Sequence, residues 1–191
     1  MIKMGARIHI FGASGSGTTT LGKALAEALN IPHYDTDNYL WIQTNPPFQQ
    51  IRDRTERQEL LRQVLTPNTS WVLSGSLCGW GDFVIPIFDY VVFLLIPPAI
   101  RLQRLKQREI ERYGSGIEHP SNPRYQDSQN FLHWAAAYDA GGSNMRSRFS
   151  HEEWIANLPC PVLRIEGDNT IKDNLKTVLK EILSSKATEP E

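Results

Sequence analysis

The chain has 191 residues, with 20 Lys and Arg balanced by 21 Asp and Glu, and 40% of its residues are hydrophobic. These values are typical of one globular domain, and the near-zero charge argues against a dedicated nucleic-acid-binding protein. No apolar run predicts a membrane span or a secretory signal, and the two cysteines, Cys78 and Cys160, fit neither a zinc site nor a disulfide scaffold. We therefore expect a cytoplasmic protein with no membrane partner.

The first half of the chain alternates short apolar runs with amphipathic segments. The run Arg7–Gly12 predicts a strand that ends in glycine, and Thr18–Leu29 has apolar residues at helical spacing. A proline then ends the helical pattern, so residues 32–35 are predicted as a second strand. A polar helix over residues 52–65 and a third strand over residues 71–73 repeat the pattern.

The second half begins with the most apolar run of the chain. Residues 90–96 are continuously apolar, as in a central parallel strand, and Pro97 and Pro98 open a predicted helix over residues 99–112. A stretch rich in Gly, Pro and Asn follows. The remaining predicted elements are helices over residues 131–138, 150–158 and 171–183, a strand over residues 161–165, and a frayed tail over residues 185–191.

Strands that alternate with helices predict an α/β protein with a doubly wound, five-stranded parallel sheet, because parallel neighbours need crossover connections. We predict one domain over residues 1–184, in which residues 113–148 form an insertion at the edge of the core. Ligands of such sheets bind beyond the carboxyl ends of the strands. The functional residues are therefore expected in the loops that follow the strands.

A glycine-rich loop connects the first predicted strand to the first helix. It matches the phosphate-binding P-loop at every position but one, because Thr18 replaces the lysine. Glycine lets the backbone N–H groups turn toward a phosphate, and the helix N-terminus adds further donors. A merely structural turn is the alternative, but the order strand, loop, helix favours phosphate binding. The predicted nucleotide-binding residues here are Gly12, Ser14, Gly15, Ser16, Gly17, Thr18, Thr19 and Thr20.

The missing lysine weakens catalysis more than binding. A charge-assisted hydrogen bond contributes about 1.5–3 kcal/mol, whereas charge stabilisation in phosphoryl transfer is worth more in rate. Lys23 lies too far around the predicted helix to replace it and is expected on the surface. Either another cation supplies the charge, or turnover is slow.

Two carboxylates, Asp35 and Asp37, follow the second predicted strand. At that edge of the sheet one carboxylate would lie near Mg2+ and the other near the acceptor hydroxyl. Asp35 is the predicted magnesium ligand with the Thr19 hydroxyl, and either Asp35 or Asp37 would orient the acceptor. The alternative is that Asp35 caps a turn and Asp37 is solvated.

Arginines recur at steps of three, four and four on the helix after the fourth strand, namely Arg101, Arg104, Arg108 and Arg112. This stripe predicts a mobile, arginine-bearing cover over a polyphosphate, although such stripes are also common on solvated faces. Arg146 and Arg148 could approach from the far side of the insertion. Residues 74–76, Trp41 and Trp80 could line an acceptor pocket or belong to the core, and the five histidines show no ligand spacing.

The sequence resembles the small P-loop kinases of the adenylate kinase and shikimate kinase type, most narrowly the bacterial adenylate-kinase-like or topology-modulation-like P-loop proteins. The likeness rests on the loop G-A-S-G-S-G-T-T-T, on D-T-D at residues 35–37, on R-L-Q-R-L-K-Q-R after the fourth strand and on I-E-G-D at residues 165–168. The resemblance implies ATP and Mg2+ as cofactors, with the aspartate pair serving magnesium and the acceptor. It also implies that Arg104 and Gly167 lie beside adenine and that Arg108 contacts phosphate.

Two departures concern the acceptor. The D-G-F-P-R segment of adenylate kinase and the glycine triplet of shikimate kinase are both missing after the third strand. Our first hypothesis is therefore an ATP-dependent kinase of a small-molecule or nucleotide acceptor, in which Asp35, Asp37 and Arg108 are catalytic. The second is a nucleotide-binding regulatory module with little phosphotransfer, because of Thr18. A third, nucleic-acid association, rests only on the arginine stripe.

Overall fold

Five parallel strands form the centre of the molecule. The structure is a computed structural model and describes residues 6–67 and 69–185. The strand order is β2-β3-β1-β4-β5, and every neighbouring pair is parallel. The strands are β1 (Arg7–Gly12), β2 (His33–Asp35), β3 (Trp71–Ser74), β4 (Tyr90–Leu95) and β5 (Val162–Glu166). The predicted five-stranded parallel sheet is confirmed.

Seven helices connect and flank these strands within the described residues. They are α1 (Thr18–Leu29), α2 (Asp37–Leu40), α3 (Arg54–Val64), α4 (Pro98–Tyr113), α5 (Tyr125–Ala136), α6 (Arg148–Ala156) and α7 (Ile171–Ser185). Helix α5 begins six residues before the predicted start at residue 131. Its first turns are polar and their buried residue is Ser128, so apolar periodicity does not reveal them. The predicted tail begins inside α7, and its residues 186–191 lie outside the described residues.

The sheet is covered on both faces. On one face Leu21 and Leu25 of α1 and Val178 of α7 join a buried cluster with alternate residues of β1 and β4. On the other face Phe11 and Phe93 stack with ring centroids 4.7 Å apart, in a cluster that includes Leu61 of α3. This packing explains why β4 is apolar along its whole length, since both of its faces are buried.

Two further segments border the carboxyl edge of the sheet. Residues 41–51 form a short hairpin, which we call the flap, closed by an antiparallel bridge between Trp41 and Ile51. The insertion packs α5 on α4 through Leu105, Leu132 and Ala135. Across the part of the chain that the structure describes, none of the helices has the length and apolar character needed to cross a membrane.

Candidate active site

The glycine loop is shaped by its backbone. Gly15 and Gly17 have φ angles of +81° and +89°, which glycine adopts without strain. A Cβ atom at Gly15 would lie 2.7 Å from the carbonyl oxygen of Arg101, and one at Gly12 would lie 2.6 Å from that of Leu94. The loop is therefore packed tightly between β4 and α4, with no room for side chains at these positions.

A hydroxyl and a carboxylate meet where α1 approaches the end of β2. Thr19 Oγ1 donates a hydrogen bond to Asp35 Oδ2 at 2.6 Å. Ser74 Oγ donates to the same oxygen at 3.3 Å, and the backbone N–H of Asp37 donates to Asp35 Oδ1 at 3.0 Å. In the sheet β3 lies between β2 and β1, so Asp35 is not beside the strand that precedes the loop. Its contact near the loop is with Thr19, in the first turn of α1.

The pair Thr19 and Asp35 fits the requirements of magnesium. Both are hard oxygen ligands, and their direct contact places them within reach of one ion. In the described part of the chain no group of three or more His, Cys, Asp and Glu could hold a metal ion by itself. This donor set therefore suits Mg2+ that is held mainly by a nucleotide, with one or two protein ligands.

A cavity of about 550 Å³ opens beside the loop. Ser14 of the loop and Asp37 of α2 line it together. Its aromatic lining residues are Trp41, Phe48, Tyr113, Phe131 and Trp134. Its lining arginines are Arg108, Arg112, Arg124 and Arg146. The flap, α4 and the insertion thus surround a cavity that suits an anionic ligand with an apolar part.

Asp37 is one of three carboxylates that line this cavity, together with Glu109 and Asp127. Burial by the surrounding walls, and then the nearby Asp35 carboxylate, raise the pKa of Asp37 above its ordinary value, although Arg146 and Arg108 oppose the shift. A raised pKa makes a carboxylate a stronger base while leaving it able to ionise. The two predicted carboxylates thus lie in different surroundings: Asp35 accepts hydrogen bonds from Thr19 and Ser74, whereas Asp37 lines the cavity.

Arg146 and Arg108 both line the cavity and both interact with the Asp37 carboxylate through their charge. Arg146 comes from the insertion, and its guanidinium lies 4.9 Å from the centre of the Trp134 ring. Burial lowers the pKa of Arg146, but arginine keeps its charge in proteins. Arg148 does not line this cavity; it forms an ion pair with Glu152 at 3.8 Å. Arg148 instead lines a second cavity, beside Ala13 of the glycine loop and Gly167.

The predicted arginine stripe is divided by the fold. Arg101 is only 1% exposed; its Nε donates to the carbonyl oxygen of Ile96 at 2.9 Å, and it forms an ion pair with Asp139. The prediction that all four arginines form a cover is therefore wrong for Arg101, because the first turn of α4 is buried against the insertion. Arg104, Arg108 and Arg112, further along α4, remain partly exposed.

Arg104 lies at the other end of the glycine loop. Its Nη2 donates to Asp168 Oδ1 at 2.8 Å, and a Cβ atom at Gly17 would lie 3.9 Å from its Nη1. Gly167, which precedes Asp168, has a φ angle of +91°. Through Asp168 the structure thus brings together Arg104 and Gly167, the two positions that the resemblance places beside adenine, although they come from distant parts of the chain.

Residues 74–76 do not line the cavity. Ser74 contacts Asp35, Gly75 packs against Thr36, and Ser76 is buried against His151. Of the two alternatives for these residues, an acceptor pocket or the core, the burial of Ser74 and Ser76 favours the core. Of the two tryptophans proposed as pocket walls, Trp41 lines the cavity, whereas Trp80 is a core residue. Lys23 is exposed, as expected.

The histidine at position 151 ties the insertion to the sheet. His151 Nε2 lies 3.1 Å from Ser76 Oγ, and its Nδ1 lies 2.8 Å from the Tyr138 hydroxyl. Burial lowers the pKa of His151 to about 3, so the ring is neutral near pH 7. The structural role expected for the histidines holds here, but His33 also contacts Ser74 close to Asp35.

Apart from Trp41, the aromatic residues that line the cavity were not predicted from the sequence. Phe48 has a φ angle of +62°, a conformation that bulky residues rarely adopt, and Arg112 lies over its ring at 4.6 Å. Arg124 lies over the Tyr113 ring at 5.0 Å. These residues have no fixed spacing in the sequence, so no motif could have grouped them.

Comparison with known proteins agrees with this geometry. A family model described as an AAA domain, AAA_18, matches residues 8–122. Over 178 residues the chain is 48% identical to the uncharacterized protein YqaC of Bacillus subtilis, covering 93% of this chain and 98% of that protein. The chain therefore belongs to the AAA_18 family of AAA domains. Within it, this is a small P-loop protein of the nucleotide and shikimate kinase type.

One kinase sequence and two solved structures are also similar to the chain. The shikimate kinase of Thermosynechococcus vestitus is 32% identical over 112 residues, covering 54% of this chain and 61% of that enzyme. A shikimate kinase from Acinetobacter baumannii, solved with shikimate, has a TM-score of 0.58 at 21% identity, covering 96% of each chain. A gluconokinase from Sinorhizobium meliloti has a TM-score of 0.53 at 16% identity, covering 95% of this chain and 93% of that one. The two structures share the fold.

Proposed function

We propose that this protein is an ATP- and Mg2+-dependent kinase that phosphorylates a hydroxyl or phosphate group of a small anionic acceptor. The observation that carries the proposal is that Ser14 of the glycine loop and Asp37 line the same cavity. A nucleotide phosphate on the loop and an acceptor in the cavity would therefore be neighbours. The relation to shikimate kinases and the shared fold of a gluconokinase support a kinase.

The nucleotide half of the site would be built mainly from the main chain. The N–H groups of residues 14–19 would hold the phosphates, while Arg104 and Gly167 would border the base. Thr19 and Asp35 would hold Mg2+ together with the nucleotide. The bound ion would neutralise part of the charge of the phosphates.

The acceptor half would be built from side chains. For a hydroxyl acceptor, Asp37 would take the proton as the oxygen forms its bond to the terminal phosphorus and the bond from that phosphorus to ADP breaks. Burial raises the pKa of Asp37, which favours this role. The cavity arginines would hold the anionic part of the acceptor, so most of the catalysis would come from positioning and charge.

Arg108 is our candidate for the charge that the missing lysine would supply. It faces the two carboxylates, and it lies one helical turn after Arg104 on a helix that packs directly on the loop at Gly15. A guanidinium also matches phosphate oxygens in a two-pronged geometry. Removal of the lysine is therefore compatible with turnover.

The proposal is tested by following ADP release from the purified chain with Mg2+ and ATP. The acceptor panel should contain carboxylated or phosphorylated sugars and cyclitols as well as nucleoside monophosphates. We expect at least one anionic compound to increase ADP release well above the rate with ATP alone. Tight nucleotide binding without stimulation by any acceptor would instead favour a binding module.

That second function is favoured by one feature, the threonine at position 18. The variant Thr18→Lys separates the two functions. A large gain in ATP hydrolysis would indicate that the natural loop is built for binding, whereas a fall would indicate that an arginine already occupies the space of the lysine. Thr18→Ser, which keeps the hydroxyl, is the matched control.

A further inference from the structure

A half-buried histidine is connected to Asp35 through one serine. His33 and Asp35 are two residues apart on β2, so their side chains project from the same face of the strand. His33 Nε2 lies 2.9 Å from Ser74 Oγ, and Ser74 Oγ donates to Asp35 Oδ2 at 3.3 Å. The three side chains form a continuous line of polar contacts from β2 through β3 to the carboxylate.

The direction of these hydrogen bonds is set by the serine. The Ser74 side chain is completely buried and has a single hydroxyl proton. When that proton is donated to Asp35, the serine oxygen becomes the acceptor for an N–H group at Nε2 of His33. The reverse arrangement would turn the lone pairs of a buried hydroxyl toward a carboxylate, which is unfavourable.

Helix α1 holds this line of contacts against the phosphate loop. A Cβ atom at Gly22 would lie 2.8 Å from His33 Nε2 and 3.1 Å from Ser74 Cβ, so the helix backbone packs directly on the pair. Thr19, which donates to Asp35, lies one turn earlier on the same helix. The carboxylate is therefore held between donors from α1 and β3.

We propose that His33 and Ser74 are positioning residues that orient the Asp35 carboxylate for a magnesium-nucleotide complex. This inference rests on the proposed function, because Thr19 and Asp35 are the residues that would hold Mg2+. Partners that hydrogen-bond a metal-binding carboxylate fix its orientation, and their removal typically lowers metal affinity by about 10- to 100-fold. Loss of either residue should weaken nucleotide binding in the presence of Mg2+. The affinity without Mg2+, which depends on the main-chain N–H groups of the loop, should stay unchanged.

The test compares the full-length protein with Ser74→Ala, His33→Asn and His33→Gln. Glutamine can place an amide N–H near the position of Nε2, whereas asparagine is too short to do so. Titration calorimetry with a nonhydrolysable ATP analogue gives the dissociation constant with Mg2+ and with EDTA. We expect the ratio of the dissociation constant in EDTA to the dissociation constant in Mg2+ to fall about tenfold in Ser74→Ala and His33→Asn, and to recover in His33→Gln.

Each result decides between distinct conclusions. An unchanged ratio in folded Ser74→Ala and His33→Asn overturns this inference and leaves the proposed function standing. Equal weakening with Mg2+ and with EDTA, accompanied by a lower Tm, also overturns it, since that pattern shows a structural role. A wild-type affinity that does not depend on Mg2+ contradicts the proposed metal site itself. Should Ser74→Ala fail to fold, Ser74→Cys keeps the size of the side chain and replaces the hydroxyl by a weak donor.

Discussion

The two halves of the candidate site are built in different ways. The nucleotide half is a continuous loop whose shape depends on glycine backbone angles and on close packing against α4. The acceptor half is a cavity whose walls come from the flap, α4 and the insertion. Main-chain donors suit a ligand group that is always the same, such as a phosphate, whereas side chains can change with the acceptor.

This contrast has a consequence for variants. Changes in the loop should affect nucleotide binding whatever the acceptor is. Changes in the cavity should affect acceptor use and leave nucleotide binding nearly unchanged. The two halves meet at Asp37, where we expect the largest effect.

Replacing Asp37 by asparagine should reduce phosphoryl transfer by about 10²- to 10⁴-fold, because the variant removes the base and retains the shape. Nucleotide affinity should stay within about twofold of the wild type, since Asp37 belongs to the acceptor half. Steady-state ADP release and calorimetry measure the two quantities. Asp127→Asn, at a second carboxylate that lines the cavity, is the control and should retain most of the turnover.

Turnover by Asp37→Asn close to the wild-type rate would remove Asp37 from the mechanism. Proton removal from the acceptor would then require another base, or the acceptor group would be a phosphate that is already ionised. The same assay on the acceptor panel separates these outcomes, because only a hydroxyl acceptor needs a base.

Replacing Gly15 by alanine should weaken nucleotide binding by about 10- to 100-fold, because one or two charge-assisted hydrogen bonds of the loop are misplaced. The reason is steric, since the new Cβ atom would lie 2.7 Å from a backbone oxygen of α4. Gly79→Ala is a matched control: Gly79 has a similar φ angle of +78°, but nothing lies within 4 Å of a Cβ atom there. Both variants should lose stability, yet only Gly15→Ala should lose nucleotide affinity in a calorimetric titration.

Replacing Phe48 by asparagine should raise the KM for the acceptor by about tenfold, because the flap loses an aromatic surface worth roughly 1–2 kcal/mol. Asparagine tolerates the positive φ angle of this position, so the variant should fold normally. Phe149→Asn, on an exposed part of α6, is the control. An unchanged acceptor KM would place the acceptor away from the flap.

The smallest expected effect concerns stability and pH. Because the pKa of Asp37 is raised in the folded protein, its ionisation favours the unfolded chain, and this destabilisation is complete above the folded pKa. Asp37→Asn should therefore raise the Tm at pH 7, by less than about 3 °C because the carboxylate still contacts water. The difference should vanish as the pH falls below the ordinary carboxylate range. An equal Tm difference at all pH values would point to a cause other than ionisation.

The sequence and the structure agree best where the signal is local. The bounds of β1 and α1 follow from the glycine loop, the apolar run before it and the helical spacing after it, and the structure has the same bounds. The proximity of Thr19 and Asp35 also follows from local rules, because both lie at the edge where ligands of parallel sheets bind.

Tertiary packing places residues that look alike in the sequence in different environments. Arg101 and Arg108 share one helical stripe, yet the first is buried in an ion pair with Asp139 and the second faces the cavity. Nothing in their spacing distinguishes them, since the difference depends on where the insertion folds back on α4. The same holds for Trp41 and Trp80, of which only Trp41 lines the cavity.

The amino-acid sequence by itself thus determined the order of strands and helices along the chain, the glycine loop and the carboxylate pair, because backbone angles and short-range periodicity are properties of neighbouring residues. Only the tertiary structure decided the walls of the acceptor cavity and the contact of His33 with Ser74. These depend on segments that are far apart in the chain and that meet because the sheet and its helices bury apolar surface.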